Sequence, residues 1–132
     1  MNIRQASAQD AAELTRIAHE AKQHWGYPEN WMKRWDADLT ITQEFIANNH
    51  VYVAEEGNRV SGFYALAVRD KKAELEHMWV APDLIGTGVG KQLFLAAMET
   101  VLFLVAMARF NLSEITILFW VARRLEILHS PL

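Results

Sequence analysis

Residues 84–94 read LIGTGVGKQLF, with glycine at alternate positions 86, 88 and 90, then Lys91 and the start of an apolar helical pattern. Glycine loses more backbone freedom on folding than any other residue, so this density marks a place where a bare backbone is required. The stretch follows ELEHMWVA, a period-two segment closed by Pro82, and leads into a long apolar run. Strand, glycine loop and helix therefore succeed one another here. Three uses compete: a nucleotide phosphate loop, a coenzyme pyrophosphate cradle, or a tight turn before a helix.

The phosphate loop of nucleotide-hydrolysing proteins needs GxxxxGK and then Ser or Thr. Counted back from Gly90 and Lys91, the first glycine position holds Ile85, and the hydroxyl position holds Gln92. A dinucleotide fingerprint needs GxGxxG after the first strand of a βαβ unit. The spacing here is GxGxG, after a strand of an antiparallel meander. Both are excluded. There remains an anion site, in which unpaired amides and the positive end of a helix dipole converge, or a plain turn. Lys91 in the first helical turn opposes the dipole but suits an anion.

The flanking elements are read from periodicity. NIRQAS reads as a first strand. SAQDAAELTRIAHEAKQHW reads as a helix capped by Ser7 or Asp10, with Ala11, Leu14, Ile17, Ala18 and Ala21 on one face. GYPEN breaks it, and short helices are expected around WMKRWDADL and TQEFIANN. VYVAEE and RVSGFYALAV, joined at Gly57 and Asn58, form a β-hairpin, in which Gly62 signals a bulge or a close backbone approach. Period two puts Glu74 and Glu76 on one strand face and His77 on the other, with Leu75 and Trp79. After Gly90 there is no glycine and little charge; a long helix and a doubly buried strand at EITILFWVA are expected.

The 132 residues fit one domain, 1–132. A net charge of −3 gives no electrostatic footprint for nucleic acid. Without cysteine there is no disulfide, thiolate nucleophile or cysteine-ligated metal, which fits a cytoplasmic setting. VLFLVAMA falls short of the roughly 20 residues that span a bilayer; with Leu93–Met98 it lengthens, but Glu99 interrupts it, so it reads as a buried helix and no membrane partner is expected.

The order of elements, with EHMWVAPDLIGTGVGKQLF at its centre, resembles the GCN5-related N-acetyltransferases (GNAT). Their signature here is Gln/Arg-x-x-Gly-x-Gly/Ala. Gly88 and Gly90 match its small positions, WVAP matches the strand end before it, and Ile85 departs from it. The resemblance covers about residues 2–100, while 101–132 diverge. It implies an α/β (α+β) fold: a mixed, mainly antiparallel sheet flanked by helices, with an incomplete C-terminal part.

The resemblance also implies acetyl-CoA as co-substrate, no metal, and acyl transfer to a primary amine of a small molecule or peptide. The pantetheine arm would lie along Met78, Trp79 and Val80, and the pyrophosphate on Gly86, Thr87, Gly88, Val89, Gly90 and Lys91. For those strand residues plain core is the alternative. An alkyl ammonium, with a pKa of about 10.4 as in lysine, must lose a proton before attacking. Glu76 is the preferred base and Glu74 the second, against a solvated sheet face. His77 reads as a satisfied half-buried histidine. Family members take the acceptor wall from the first two helices. This points to Trp25, Tyr27 and Trp31, whose rings suit a cation, although Trp31 and Trp35 also fit a buried helical stripe. The tyrosine that usually protonates the departing thiolate has no counterpart after the glycine loop. This leaves a second reading: a CoA-binding or inactive relative whose apolar C-terminal segment mediates association. A homodimer is the expected assembly.

Overall fold

The computed structural model describes residues 1–70 and 72–108. The strand expected at EITILFWVA, and most of the divergent stretch 101–132, lie outside these. The chain runs through β1 (Asn2–Gln5), a 3-10 turn (Ala8–Asp10), α1 (Ala11–Gln23), α2 (Glu29–Arg34) and α3 (Gln43–Asn48). It continues through β2 (His50–Glu56), β3 (Arg59–Arg69), β4 (Lys72–Val80), a second 3-10 turn (Pro82–Leu84) and α4 (Val89–Ala108). The strands form one antiparallel sheet in the order β1-β2-β3-β4. The expected sheet flanked by helices is thus observed.

β3 is buried from Val60 to Ala67 without interruption. Such a strand needs a layer on each side, and the sequence supplies both. On one face Phe63 and Ala65 meet Leu14, Ile17, Ala18 and Ala21 of α1 and Ile46 of α3. On the other, Tyr64 and Leu66 meet Leu93, Ala97 and Val101 of α4. The spacing of four along α4 aligns one stripe with the sheet. The rest of that helix is open: Leu95, Leu102, Phe103 and Met107 are 51–69% exposed. The sequence reading of a buried helix therefore holds for one stripe only. Counted from its true start, the apolar segment is longer than VLFLVAMA alone. Val89–Met107 is long and apolar enough to cross a membrane by length and composition, and 22% of its most apolar window is buried.

Both readings of Gly62 are realised. The β2–β3 register shifts between Ala54 and Glu55, leaving Ser61 without a Cα partner on β2. The Ser61 hydroxyl donates to the Ala54 carbonyl at 3.1 Å, and its own carbonyl accepts the Ala81 N–H at 2.9 Å. A Cβ on Gly62 would stand 2.6 Å from the Trp79 carbonyl oxygen and 2.9 Å from Leu93 Cδ1. One glycine thus lets β3, the end of β4 and the start of α4 meet. Gly62→Ala should cost about 1–3 kcal/mol, as overpacking does. Chemical denaturation measures this; unchanged stability would show that the three elements do not need the close approach.

Candidate active site

The β3–β4 register also breaks, in the middle of the strand that leads to the glycine loop. Ala65 pairs with His77 and Leu66 with Leu75, so Glu76 stands opposite no β3 residue. An extra residue of this kind re-aims the side chains beyond it. Before the break, Ala73 and Leu75 face α4; after it, Trp79 packs with the α1 core and Met78 and Val80 pack toward α4. The period-two reading is corrected here. His77 shares a face with Trp79 but not with Leu75, because the pleat changes phase at Glu76. Glu74 alternates with Ala73 and Leu75, so it faces the α1 side.

Glu76 is half-buried, and its Oε1 lies 3.9 Å from Arg69 Nη2. Arg69 alternates with Val68 and so belongs to the α1 face, which places the Glu76 carboxylate there too. His77 is buried against Phe45 and Phe63. The Trp79 indole N–H, which can only donate, bonds to His77 Nδ1 at 3.0 Å. That lone pair is therefore engaged, and the neutral ring carries its proton on Nε2. This bond makes His77 the satisfied histidine that the sequence suggested and a poor competitor to the glutamates as a base.

β4 ends where Ala81 donates to Ser61, and the chain turns through Pro82–Leu84 into the glycine loop. Asp83 pairs with Arg59 at 2.5 Å, tying the turn to the β2–β3 hairpin. Gly86 and Gly88 have φ of +87° and +96°, which L side chains rarely adopt. The Thr87 amide donates to the Leu84 carbonyl at 3.2 Å and its hydroxyl to the same oxygen at 2.6 Å, so Thr87 closes the turn. The Gln92 amide bonds to the Gly88 carbonyl. Among the described residues, the amides of Gly86, Gly88, Val89, Gly90 and Lys91 donate to no other group.

These donors gather at the amino end of a twenty-residue helix. Its dipole and its unsatisfied N–H groups both favour an anion. A Cβ on Gly86 or Gly88 would meet nothing within 4 Å, and one on Gly90 would only touch Val80 Cγ2 at 3.5 Å. The space before the loop is thus open, and the residues fit a diphosphate held by main-chain donors. On its side away from β3, β4 has no neighbouring strand among the described residues. Met78, Trp79 and Val80 form the end of that edge, directly before the loop. Among the described residues no group of three or more histidine or carboxylate side chains converges to hold a metal ion.

The aromatic cluster is assembled around a residue the sequence reading missed. Lys22, on α1, is buried, with Nζ 4.3 Å from the Trp35 ring centroid and 4.9 Å from that of Tyr27. Tyr27 packs edge-on to Trp35 at 5.1 Å, and Trp31 lies 6.2–6.3 Å from both. A cation thus does sit among these rings, but it is the chain's own lysine. Trp35 packs against the main core, as expected, and Trp25 is 41% exposed beside His24. Lys22 follows Ala18 by four residues and so falls within the apolar stripe of α1, which was the available signal. A groove of about 470 Å³ lies between α1 and α2, lined by His19, Gln23, Tyr27, Glu29, Met32, Lys33 and Asp36. Of the proposed acceptor residues it includes Tyr27 but neither tryptophan.

All three tyrosines lie within the described residues. Tyr64 is buried, bonded to Thr100 Oγ1 at 2.9 Å, with its phenol pushed up by burial. Tyr52 stacks on it at 5.4 Å. Tyr27 belongs to the Lys22 cluster, and burial raises its phenol as well. All three precede the glycine loop, whereas the resemblance implies an acid on a helix after a fifth strand, a part of the chain outside the described residues.

Comparison with known proteins decides the family. The model of the acetyltransferase (GNAT) family matches residues 12–112. The chain belongs to the GNAT acetyltransferase family. This GNAT domain is similar to the PaiA N-acetyltransferase of Thermoplasma acidophilum, solved with coenzyme A. The TM-score is 0.66 at 22% identity, over 76% of this chain and 70% of that one. A GNAT family acetyltransferase of Brucella melitensis, solved with acetyl-CoA, gives 0.59 at 24% identity, over 76% and 67%. The ribosomal-protein-S18-alanine N-acetyltransferase of Escherichia coli gives 0.56 at 17%, over 76% and 58%. These likenesses speak for the fold. No curated protein sequence matches the chain.

The loop geometry separates the glycines of this GNAT domain by role. Gly88→Ala should destabilise by about 1–2 kcal/mol through its positive φ. Gly90→Ala, in the first helical turn with room for a methyl, should stabilise by about 0.5–1 kcal/mol. Denaturation curves of both variants check the assignment, which fails if the two shift stability in the same direction.

Proposed function

We propose that this GNAT domain is an acetyl-CoA-dependent N-acetyltransferase acting on a primary amine of a small molecule or peptide. The observation that carries the reading is the set of undonated amides at Gly86, Gly88, Val89, Gly90 and Lys91, at the mouth of α4 and directly after the open end of β4. When bound, acetyl-CoA supplies the acetyl group as a thioester. The loop amides hold the diphosphate, with Lys91 adding charge and Thr87 shaping the turn. The backbone of Met78, Trp79 and Val80 offers an edge to the pantetheine amides. Glu76, in the register break, takes the proton of the incoming ammonium, and Glu74, two residues earlier on the same face, is the second candidate. Arg69 puts a positive charge 3.9 Å from the Glu76 carboxylate. Trp25, Tyr27 and Trp31 remain the proposed acceptor wall, with Tyr27 facing the α1–α2 groove. No tyrosine serves as acid in this reading, so the thiolate leaves without one.

A second reading is favoured by two observations: all three tyrosines are engaged elsewhere, and α4 exposes Leu102, Phe103 and Met107. In it the domain binds CoA without turnover and associates, as a homodimer, through its apolar C-terminal region. Calorimetric titration with acetyl-CoA and a thiol-release assay over a panel of amines separate the two. Binding with release supports the enzyme, binding without release supports the second reading, and no binding at millimolar ligand overturns both. Glu76→Gln should lower turnover about 10²- to 10⁴-fold, the usual worth of a general base, and leave coenzyme affinity within about twofold. A parallel loss of both would remove Glu76 from that role.

A further inference from the structure

Lys22 stands where helical spacing calls for an apolar residue. It follows Ala18 by four residues along the stripe Leu14, Ile17, Ala18, Ala21, and it is buried with them. Taking an ammonium out of water is costly unless its surroundings compensate it. Two supports are built in. The residue lies in the last turn of α1, where the helix dipole favours a cation. Its Nζ also lies 4.3 Å from the Trp35 ring centroid and 4.9 Å from that of Tyr27. These two rings bracket α2, Tyr27 just before it and Trp35 at its carboxyl end, and they pack edge-on at 5.1 Å. Gly26, with φ of +77°, lets the chain reverse after α1, so that Tyr27 returns to Lys22.

We propose that Lys22 is a specificity-determining residue: its ammonium occupies the aromatic cluster in place of a ligand's, so that the adjoining groove favours a monoamine acceptor over a diamine. This deepens the acetyltransferase reading and rests on it. An aromatic face attracts a cation through its quadrupole, and a second ammonium brought to rings that already carry one meets a like charge. Tyr27 is the member of the cluster that lines the groove, so the effect is felt there. The other charged groups at the groove are Glu29, Lys33 and Asp36, with His19 beside Asp36. They are the same in the wild type and in a Lys22 variant. A change in the preference between two acceptors therefore reports the lysine.

Two measurements on the full chain test this. The first compares KM for butylamine with KM for putrescine, the diamine of the same carbon number. Lys22→Met keeps the length and loses the charge. It should lower KM for putrescine relative to butylamine about two- to thirtyfold, the range that a cation–π contact supplies. Lys22→Arg keeps a cation on the rings and should keep the wild-type ratio. Lys22→Gln serves in its place if Lys22→Met does not fold. An unchanged ratio in the neutral variant, or an arginine variant that moves with it, overturns the proposal. The second measurement needs no turnover. Tetramethylammonium is added in large excess while the indole N–H resonances of Trp31 and Trp35 are followed by NMR. They should shift in the neutral variant and stay in place in the wild type; equal responses in the two overturn the occupancy of the cluster by Lys22. A chain without turnover sinks the acetyltransferase reading, while the titration still decides what fills the rings, so the two failures are distinguishable.

Discussion

A strand buried on both faces obliges the chain to provide a covering layer on each side. β3, closed to solvent from Val60 to Ala67, imposes this demand, and the remaining elements answer it. α1 and α3 cover one face, and α4 covers the other. Because α4 must start close to where β4 ends, the connection between them is short and held against the sheet, with Gly62 as the point of contact. The glycine loop therefore stands on packed supports. Most of its amides are left unused by the turn itself, which is what an anion site built from backbone requires.

The break in the β4 register re-sorts the side chains next to the proposed coenzyme loop. In a regular strand His77 would lie on the α4 face and the glutamates on the other. The extra residue brings Glu74, Glu76, His77 and Trp79 to one side. Within that set the roles are sorted by partners. His77 commits its Nδ1 lone pair to the Trp79 indole, whereas Glu76 keeps a carboxylate within reach of Arg69 and partly open to solvent. The proposed acceptor side is constructed differently. There the rings are packed on a lysine of the chain, and the adjoining groove is bounded by an imidazole and carboxylates.

Much of this was legible in the sequence, for physical reasons that particular residues illustrate. The stripe Leu14, Ile17, Ala18, Ala21 fixed the buried face of α1, because helical spacing leaves no other use for it. The hairpin at Gly57 and Asn58, and the glycine loop, were equally plain, and motif and order together gave the family. The break at Glu76 was hidden, since ELEH alternates polar and apolar residues as a regular strand does, and only cross-strand pairing reveals a shifted phase. Lys22 escaped notice because charge argues for a surface position, while the rings that bury it lie five and thirteen residues further on, beyond the end of α1. The openness of α4 could not be read either. Composition reports how greasy a helix is, but which neighbours cover it is a property of the assembled layers.

The extra residue in β4 has a further consequence for the border of the sheet that has no neighbouring strand among the described residues. A long, straight row of unpaired main-chain groups is a template on which foreign strands grow, and natural proteins blunt such rows with kinks and charge. Here the kink falls mid-strand and carries a carboxylate. A regular β-segment from another molecule that aligned with one half of the border would lose step with the other, so the same irregularity that orients the glutamate also guards against fibrous self-association.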